Sequence, residues 1–349
     1  MTQNVGFFMS PASISTRFTK SYNLDHPIAC AGLAFVGALP DFHVAVSKTG
    51  ALGAFGVGPF PPEVVAQTIS AIKSQTDQPV HVNFITIFTS EAHIDACIEQ
   101  GADIVSFHWG HPRKDWIKRL HAAGISVWEQ VGSAGATRQA LDNGIDLIIA
   151  QGTEAGGHNY AELPTFVNVP DIVDAAQGGM VLASGGVMDG RGLAAALALG
   201  ADGVWVGTRF AASTEANVPA EYRKTVFKAS GHDTTRSHTY GPETPDFNPM
   251  RLYRNPLVAA CEEQEDLVPQ TSESQPVIGE TRLGDMALPL RKHSALLAMA
   301  DSTGDFDIMP MLMGQGVGQL KSEESVDLIV NSMVKEARDV LKNLSNALV

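Results

Sequence analysis

The sequence contains little cysteine and little positive charge. Its three cysteines, Cys30, Cys97 and Cys261, are far apart and odd in number, and none of them forms a pair with metal-site spacing. They are expected to be reduced thiols in a cytoplasmic protein. The chain has 24 Lys and Arg against 38 Asp and Glu, a formal net charge of −14. This balance argues against nucleic acid or an anionic membrane as the main partner.

Long apolar runs and a targeting signal are also absent from the sequence. No apolar stretch approaches the ~18 residues needed to span a bilayer. Residues 1–18 lack the basic segment and apolar core of a signal peptide. With 44% hydrophobic and 18% charged residues, the composition is that of a soluble globular protein, long enough for one large domain and an appendage. A homodimer is kept open as its assembly state.

A short motif recurs through the first two hundred residues. It consists of a glycine that ends a helix, one small or branched apolar residue, and then a strand, which is the joint of a βα repeat. The motif occurs at Gly50, Gly101, Gly124, Gly144 and Gly200. Strands are predicted at 26–31, 51–55, 80–85, 104–108, 126–130, 147–151, 180–184 and 204–207. Eight such units predict an α/β fold, a (β/α)8 TIM barrel, with a doubly wound sheet as the alternative.

The βα rhythm stops near residue 211. A helix is predicted over 218–229, residues 230–284 are rich in Pro, Thr, Ser and charge, and residues 325–344 form a helix with one apolar face. We predict three parts: a cofactor-binding barrel over 1–215, a smaller helical or irregular domain over 216–310, and a C-terminal segment over 311–349. The middle part would be inserted after strand eight and cover the barrel mouth, and the last would return to the barrel.

The strongest site signal follows the sixth predicted strand. In residues 146–158, an apolar strand ends at Gln151, and the loop after it contains three glycines, one glutamate and, at its end, His158. Glycines let a flat ligand approach the main chain closely. A histidine in a loop after a strand lies where α/β proteins usually carry their chemistry. Glu154 is interpreted as a residue that stabilises the loop.

Two other strand ends are typical of phosphate binding. The seventh strand ends in Gly185-Gly186 and the eighth in Gly207-Thr208. In barrels these two loops commonly bind a phosphate through backbone N–H groups, and Thr208 would add a hydroxyl donor. The segment 190–195 resembles a dinucleotide fingerprint only superficially, because it begins several residues beyond its strand. The phosphate is therefore expected to belong to a mononucleotide-type cofactor.

Amides and histidines at other strand ends complete the predicted site. Asn83 lies inside the third strand and Gln151 ends the sixth, and a buried amide needs hydrogen-bond partners. The edge of a flavin ring would supply them. His108 and His111 follow the fourth strand, but no carboxylate or cysteine accompanies them in the sequence, so a metal is not predicted. Contact of His108 with substrate or flavin is favoured.

These motifs resemble those of a known family. The run Ala-Gln-Gly-Thr-Glu-Ala-Gly-Gly-His at 150–158 closely resembles the signature of FMN-dependent nitronate monooxygenases, once called 2-nitropropane dioxygenases. The runs 183–192 and 200–210 are similar to the second signature, and 105–108 and 314–318 look like further landmarks. The resemblance implies an FMN-binding barrel that oxidises alkyl nitronates, with nitroalkanes as further candidates. It implies that O2 is consumed, that a carbonyl compound and nitrite form through a flavin semiquinone, and that no metal takes part.

The resemblance also implies roles for individual residues. His158 matches the active-site histidine of the family. The positions that match FMN contacts of the family are Asn83, Gln151, Gly156, Gly186, Trp205, Val206, Gly207 and Thr208. Gly185 of the phosphate loop is expected to bind the cofactor with them. Two departures concern the substrate rather than the flavin: Leu33 stands where members often have methionine, and Asn159-Tyr160 replace an Arg-Gly pair.

Two other functions remain open from the sequence. One is an NAD(P)H-dependent FMN reductase that acts on quinones or enoyl thioesters. The other is a barrel that binds a phosphorylated ligand without redox chemistry. The fold alone does not choose among them.

Overall fold

The structure is a computed structural model that describes residues 13–108, 110–283 and 286–347. The expectation about a signal peptide in residues 1–18 therefore falls mostly outside the described residues. Within the described residues, no helix is both long and apolar enough to cross a bilayer.

The described residues form helices and strands in a regular alternation up to residue 211. The helices are α1 Arg17–Tyr22, α2 Pro40–Ser47, α3 Pro62–Lys73, α4 Glu91–Gln100, α5 Lys114–Ala122, α6 Ala134–Asn143, α7 Thr165–Ala175, α8 Gly190–Ala198, α9 Thr208–Ala211, α10 Ala220–Val226, α11 Pro256–Glu263 and α12 Val326–Asn346. The strands are β1 Ile28–Cys30, β2 Phe55–Gly56, β3 His81–Ile85, β4 Ile104–His108, β5 Ser126–Val131, β6 Leu147–Gln151, β7 Gly157–His158, β8 Met180–Ser184, β9 Gly203–Val206, β10 Thr234–Ser237, β11 Met250–Tyr253, β12 Val277–Leu283, β13 Met286–Arg291 and β14 Thr303–Gly304.

Eight parallel strands form the central sheet. Their order is β1-β9-β8-β6-β5-β4-β3-β2, and every neighbouring pair is parallel. The two ends of the sheet meet where Ala29 bridges to Leu52, with Cys30 N donating to the Leu52 carbonyl at 2.8 Å. The predicted (β/α)8 barrel is thus confirmed, and the doubly wound alternative is wrong because the sheet closes on itself.

The glycine joints explain why the barrel could be predicted. Strands β4, β6 and β8 have the predicted bounds. The glycines of the recurring motif all adopt left-handed backbone angles, which side chains avoid. Their φ values are +82° at Gly50, +66° at Gly101, +79° at Gly124, +100° at Gly144 and +96° at Gly200. Strand β2 was misplaced, because only Leu52 of the predicted segment 51–55 bridges before the strand begins at Phe55.

Helix α1 closes the N-terminal end of the barrel, which the sequence did not predict. Phe18 and Tyr22 pack against Trp128 inside the barrel, with ring centroids 5.8 Å and 4.9 Å away. Trp128 Nε1 donates to Tyr22 Oη at 2.8 Å, and Arg17 pairs with Asp202 at 2.7 Å. Because aromatic side chains fill this end among the described residues, the cavity of the barrel opens at the C-terminal ends of the strands.

The segments after β9 contain more regular structure than expected. β10 and β11 pair antiparallel, and β11 also pairs with β7 after the sixth barrel strand. β12 pairs with β13 and β14 in a third sheet. Strands β10 and β11 have four residues each, which is too short for a periodic pattern to show in the sequence. The division into 1–215, 216–310 and 311–349 stays a prediction.

The C-terminal helix α12 follows the prediction. It packs against α8 on the barrel wall. Its buried residues are Val326, Ile329, Val330, Met333, Val334 and Ala337. They form the apolar face that the spacing over 325–344 indicated. Helix α10 likewise lies inside the predicted range 218–229.

Candidate active site

A cavity of about 420 Å³ opens at the C-terminal ends of the barrel strands. Its walls are the loops after the strands, completed by residues between 218 and 314. The predicted site residues that line it are Asn83, His108, Gln151, Gly156, His158, Gly185, Gly186, Trp205, Gly207 and Thr208. Val206 does not line it, because alternation along β9 turns its side chain into the core outside the barrel.

The glycines of the phosphate loops differ in backbone angle and in the space available for a Cβ. Gly185 has φ +112°, and a Cβ there would lie 2.7 Å from Thr165 Oγ1, so the fold itself requires glycine. Gly186 has φ +72°. Gly207 has φ −103°, and a Cβ would meet only Ala31 at 3.6 Å and Leu33 at 3.9 Å. A side chain at Gly207 therefore meets no steric obstacle within the protein. A substitution there can test ligand binding in the cavity without disturbing the fold.

Unused hydrogen-bond donors gather beside these glycines. Among the described residues, no oxygen accepts from the backbone N–H of Gly186 or Thr208. Thr208 Oγ1 accepts from Gly314 N at 2.9 Å, so its own proton is available to a ligand. Several hydrogen-bond donors without a partner can together bind the oxygens of an anion such as a phosphate. The residues present fit the phosphate of a mononucleotide.

Gly156 has a structural reason to be glycine. A Cβ at this position would lie 2.5 Å from Gly314 N and from the Met313 carbonyl carbon. The loop after β6 therefore packs directly on the backbone of the C-terminal segment. Glu154 holds the same loop by accepting from Thr165 N at 2.8 Å and from Thr165 Oγ1 at 2.9 Å, as its interpretation in the sequence expected.

Amide side chains surround the deeper part of the cavity. Gln151 donates to the His158 carbonyl at 2.9 Å and accepts from Tyr160 N at 3.2 Å, so it shapes the loop that carries His158. Gln130, at the end of β5, also lines the cavity, and its amide has no hydrogen-bond partner among the described residues. The sequence reasoning missed Gln130, although an amide at the end of a strand was the signal that singled out Gln151.

His158 is held as a neutral imidazole. Its Nδ1 lies 2.8 Å from the Phe247 carbonyl oxygen, and the two rings are 3.6 Å apart between centroids. A carbonyl only accepts, so Nδ1 carries the proton and Nε2 presents its lone pair. Burial, with the nearby His108, lowers the pKa of His158 to about 3. Burial also lowers the pKa of His108 to about 4.

A residue after β4 contacts a buried carboxyl group that the sequence did not predict. His111 Nδ1 lies 2.6 Å from Glu129 Oε1 on β5, so the expectation that no carboxylate accompanies these histidines was wrong. The two residues meet because β4 and β5 are neighbours, which sequence spacing does not show. Burial raises the pKa of Glu129 to about 8. No group of three metal ligands occurs in the part of the chain that the structure describes.

The outer wall of the cavity is apolar. It is formed by residues without local periodicity, which the sequence reasoning did not find: Leu296, Leu297, Phe306, Met309 and Met311. Glu154 and Glu243 are the acidic lining residues, and both accept hydrogen bonds from backbone N–H groups. Of the described residues, no Lys or Arg lines the cavity.

Buried neutral histidines predict a loss of stability in acid. His43 is fully buried, and burial lowers its pKa to about 4. The unfolded chain binds a proton there below about pH 6.5 and the folded chain does not, so stability falls as pH falls from about 6.5 to 4. Urea unfolding should show that His43→Gln reduces the loss between about pH 7.5 and pH 5 by about 2 kcal/mol. The exposed His238→Gln is the control, and an equal loss in both variants would contradict this.

Comparisons with known proteins agree with the fold and the motifs. The family model described as nitronate monooxygenase matches residues 84–336. A probable nitronate monooxygenase of Staphylococcus saprophyticus is 28% identical, over 94% of this chain and 99% of that protein. The structure of FabK from Thermotoga maritima is 30% identical with a TM-score of 0.81, covering 96% of this chain and 100% of that chain.

A further solved structure supports the fold alone. The nitroalkane oxidase of Streptomyces ansochromogenes is 21% identical with a TM-score of 0.75, over 94% of this chain and 99% of that chain. The family model covers well over half of the residues and includes both glycine loops and His158. The chain therefore belongs to the nitronate monooxygenase family of flavin-dependent oxidoreductases.

Proposed function

We infer that the protein is an FMN-dependent enzyme that oxidises alkyl nitronates with O2. Two nitronates and one O2 would give two carbonyl compounds and two nitrite ions, which balances atoms and charge. The observation that carries this proposal is the neutral His158, which lines the same cavity as the unused N–H donors of Gly186 and Thr208. A nitronate already carries its negative charge, so its carbon needs no base.

The hydrogen-bond donors of the phosphate loops favour FMN over a dinucleotide flavin. One set of donors, at Gly186 and Thr208, suits one phosphate, and no dinucleotide fingerprint precedes it. When bound, FMN would supply the electron acceptor for the substrate carbon. Denaturing the purified protein and identifying the released flavin tests this proposal. A colourless protein that takes up no FMN would contradict it and would favour a barrel that only binds a phosphorylated ligand.

His158 would bind and orient the nitronate. A neutral imidazole with a pKa near 3 is a weak base for a carbon acid. An anion bound beside it raises the pKa of the imidazole, so that Nε2 can hold a proton against a nitro oxygen. The hydrogen bond from Nδ1 to the Phe247 carbonyl keeps the ring in place during this exchange. Nitronates are therefore favoured over neutral nitroalkanes as substrates.

The apolar wall predicts a preference among nitronates. Each added methylene buried against it is worth ~0.8 kcal/mol, so two of them should raise kcat/KM about tenfold. Butyl nitronate is expected to exceed ethyl nitronate by this factor. A terminal carboxylate on the chain should remove the gain, because none of the described lining residues is a cation. Steady-state rates for the three substrates check this, and a faster carboxylated substrate would contradict it.

An NAD(P)H-dependent FMN reductase is the second candidate. The similarity to FabK favours it, at 30% identity over nearly the whole chain. The shortage of cations weighs against it, because a nicotinamide nucleotide brings two or three phosphates to the cavity. Anaerobic mixing of the flavin-loaded protein separates the two candidates. We expect a nitronate to bleach the flavin absorbance rapidly and NADPH to do so slowly or not at all; the reverse order would favour the reductase.

A further inference from the structure

A buried polar chain lies beneath the cavity, inside the barrel. His81 and Asn83 lie on β3, and Ser106 is the register partner of Asn83 on β4. Asn83 Nδ2 donates to Ser106 Oγ at 2.7 Å, and the same oxygen lies 2.7 Å from His81 Nε2. His81 and Ser106 are fully buried and Asn83 is 4% exposed. Burying polar groups costs free energy unless they are hydrogen-bonded to one another or to a ligand, so the contacts within this chain show which polar atoms remain for a ligand.

These contacts determine which end of the Asn83 amide faces the cavity. The Ser106 hydroxyl oxygen accepts from Asn83 Nδ2, and the same oxygen is in hydrogen-bond contact with His81 Nε2. Asn83 Oδ1 therefore points the other way, against Gly32, where a Cβ would lie only 1.9 Å from it. Gly32 and Asn83 both line the cavity, and no described residue donates a hydrogen bond to Oδ1. Asn83 thus offers the cavity an acceptor.

His81 has the features needed to hold Ser106 in place. Its ring packs between Trp128 and Trp205, with centroids 5.0 Å and 5.3 Å away. Its backbone N–H donates to His43 Nε2 at 3.4 Å. Burial lowers the pKa of His81 well below its ordinary value, so the ring remains neutral and meets Ser106 as an uncharged hydrogen-bond partner.

We propose that Ser106 and His81 are positioning residues that keep Asn83 Oδ1 directed at the ring N–H of the bound flavin. An oxidised flavin ring has several acceptor atoms but only one N–H, so an acceptor from the protein distinguishes that edge. The Gln130 and Gln151 amides can serve the acceptor atoms. This role rests on the FMN part of the proposed function and is independent of which substrate is oxidised.

Flavin affinity and midpoint potential test the role. Ser106→Ala in the full chain should weaken FMN binding by about three- to tenfold, measured by fluorescence titration of the apoprotein. It should also shift the midpoint potential of the bound flavin to a more positive value, because an acceptor at the ring N–H opposes reduction. Ser106→Thr, which keeps the hydroxyl, should stay close to wild type in both measurements.

A double-mutant cycle separates positioning from general packing. In the Asn83→Ala background, Ser106→Ala should change FMN affinity by less than about twofold, because its target is already gone. Equal factors in both backgrounds, or an unchanged affinity and potential in Ser106→Ala, would overturn the role. If Ser106→Ala does not fold, His81→Phe, which keeps the ring between the tryptophans, takes its place in the cycle. A wild-type protein that binds no FMN would instead overturn the proposed cofactor and this role with it.

Discussion

Replacing Gly207 by valine is expected to lower the affinity for FMN by about a hundredfold or more while leaving the fold intact. The residue has φ −103°, and its nearest side-chain neighbours would be in ordinary contact with a Cβ. The added methyl groups would extend into the cavity and block the phosphate from the adjacent N–H groups. Loss of two hydrogen bonds to a charged group costs roughly 3–6 kcal/mol. Fluorescence titration of apoprotein with FMN measures the affinity.

The control for this variant is Gly135→Val on helix α6. Gly135 is exposed, and a Cβ there would meet only Ser133 Oγ at 3.9 Å. Both variants place valine in a helix or at its start, so their thermal unfolding should change by similar small amounts. Gly186→Val is less informative, because φ +72° makes any side chain strained. Full flavin content in Gly207→Val would show that the phosphate binds elsewhere.

The barrel was predictable because its signals are local. A glycine that ends a helix and an apolar run that begins a strand lie within a few residues of each other. The left-handed angles at Gly124 and Gly144 show that the signal had the assumed physical cause. Helix α1 was missed for the opposite reason. It has six residues, and only its packing on Trp128 shows what it does.

The site was predictable where one residue sufficed and not where partners meet across strands. Gly186, His158 and Thr208 were predicted from their own loops, and all three line the cavity. Ser106 lies in the landmark run 105–108, but the run does not show a role for it, because its partner Asn83 is on the neighbouring strand. Glu129 was missed for the same reason, since its partner lies 18 positions earlier on another loop.

The neutral state of His158 is a further result that the sequence did not provide. The sequence suggests an unperturbed histidine, with a pKa of ~6.5 and two possible charges near neutrality. The structure adds the Phe247 carbonyl, which fixes the proton on Nδ1, and the burial that lowers the pKa to about 3. Phe247 is 89 positions away in the chain. The chemistry of the histidine therefore depends on the segment between β10 and β11, which the sequence reasoning treated as irregular.

Replacing His158 by asparagine is expected to separate the two substrate forms. Nitronate turnover should fall about ten- to a hundredfold, the loss of one hydrogen bond to a charged group. Any neutral nitroalkane that the wild type accepts needs a base for its carbon, so its turnover should fall by ~10²–10⁴-fold. FMN content should not change, because His158 acts on the substrate. Initial rates with each form, corrected for flavin content, provide the measurement.

The control for this last variant is the exposed His238→Asn, which should leave both rates unchanged. The ratio of the two losses is more informative than either alone. A variant that merely distorts the loop would slow both substrates by the same factor, because both bind in the same cavity. A larger loss for the neutral substrate requires that Nε2 of His158 accept a proton. Nε2 is the ring nitrogen that carries no proton when Nδ1 donates to the Phe247 carbonyl. Full activity on both forms would mean that His158 has no part in the reaction.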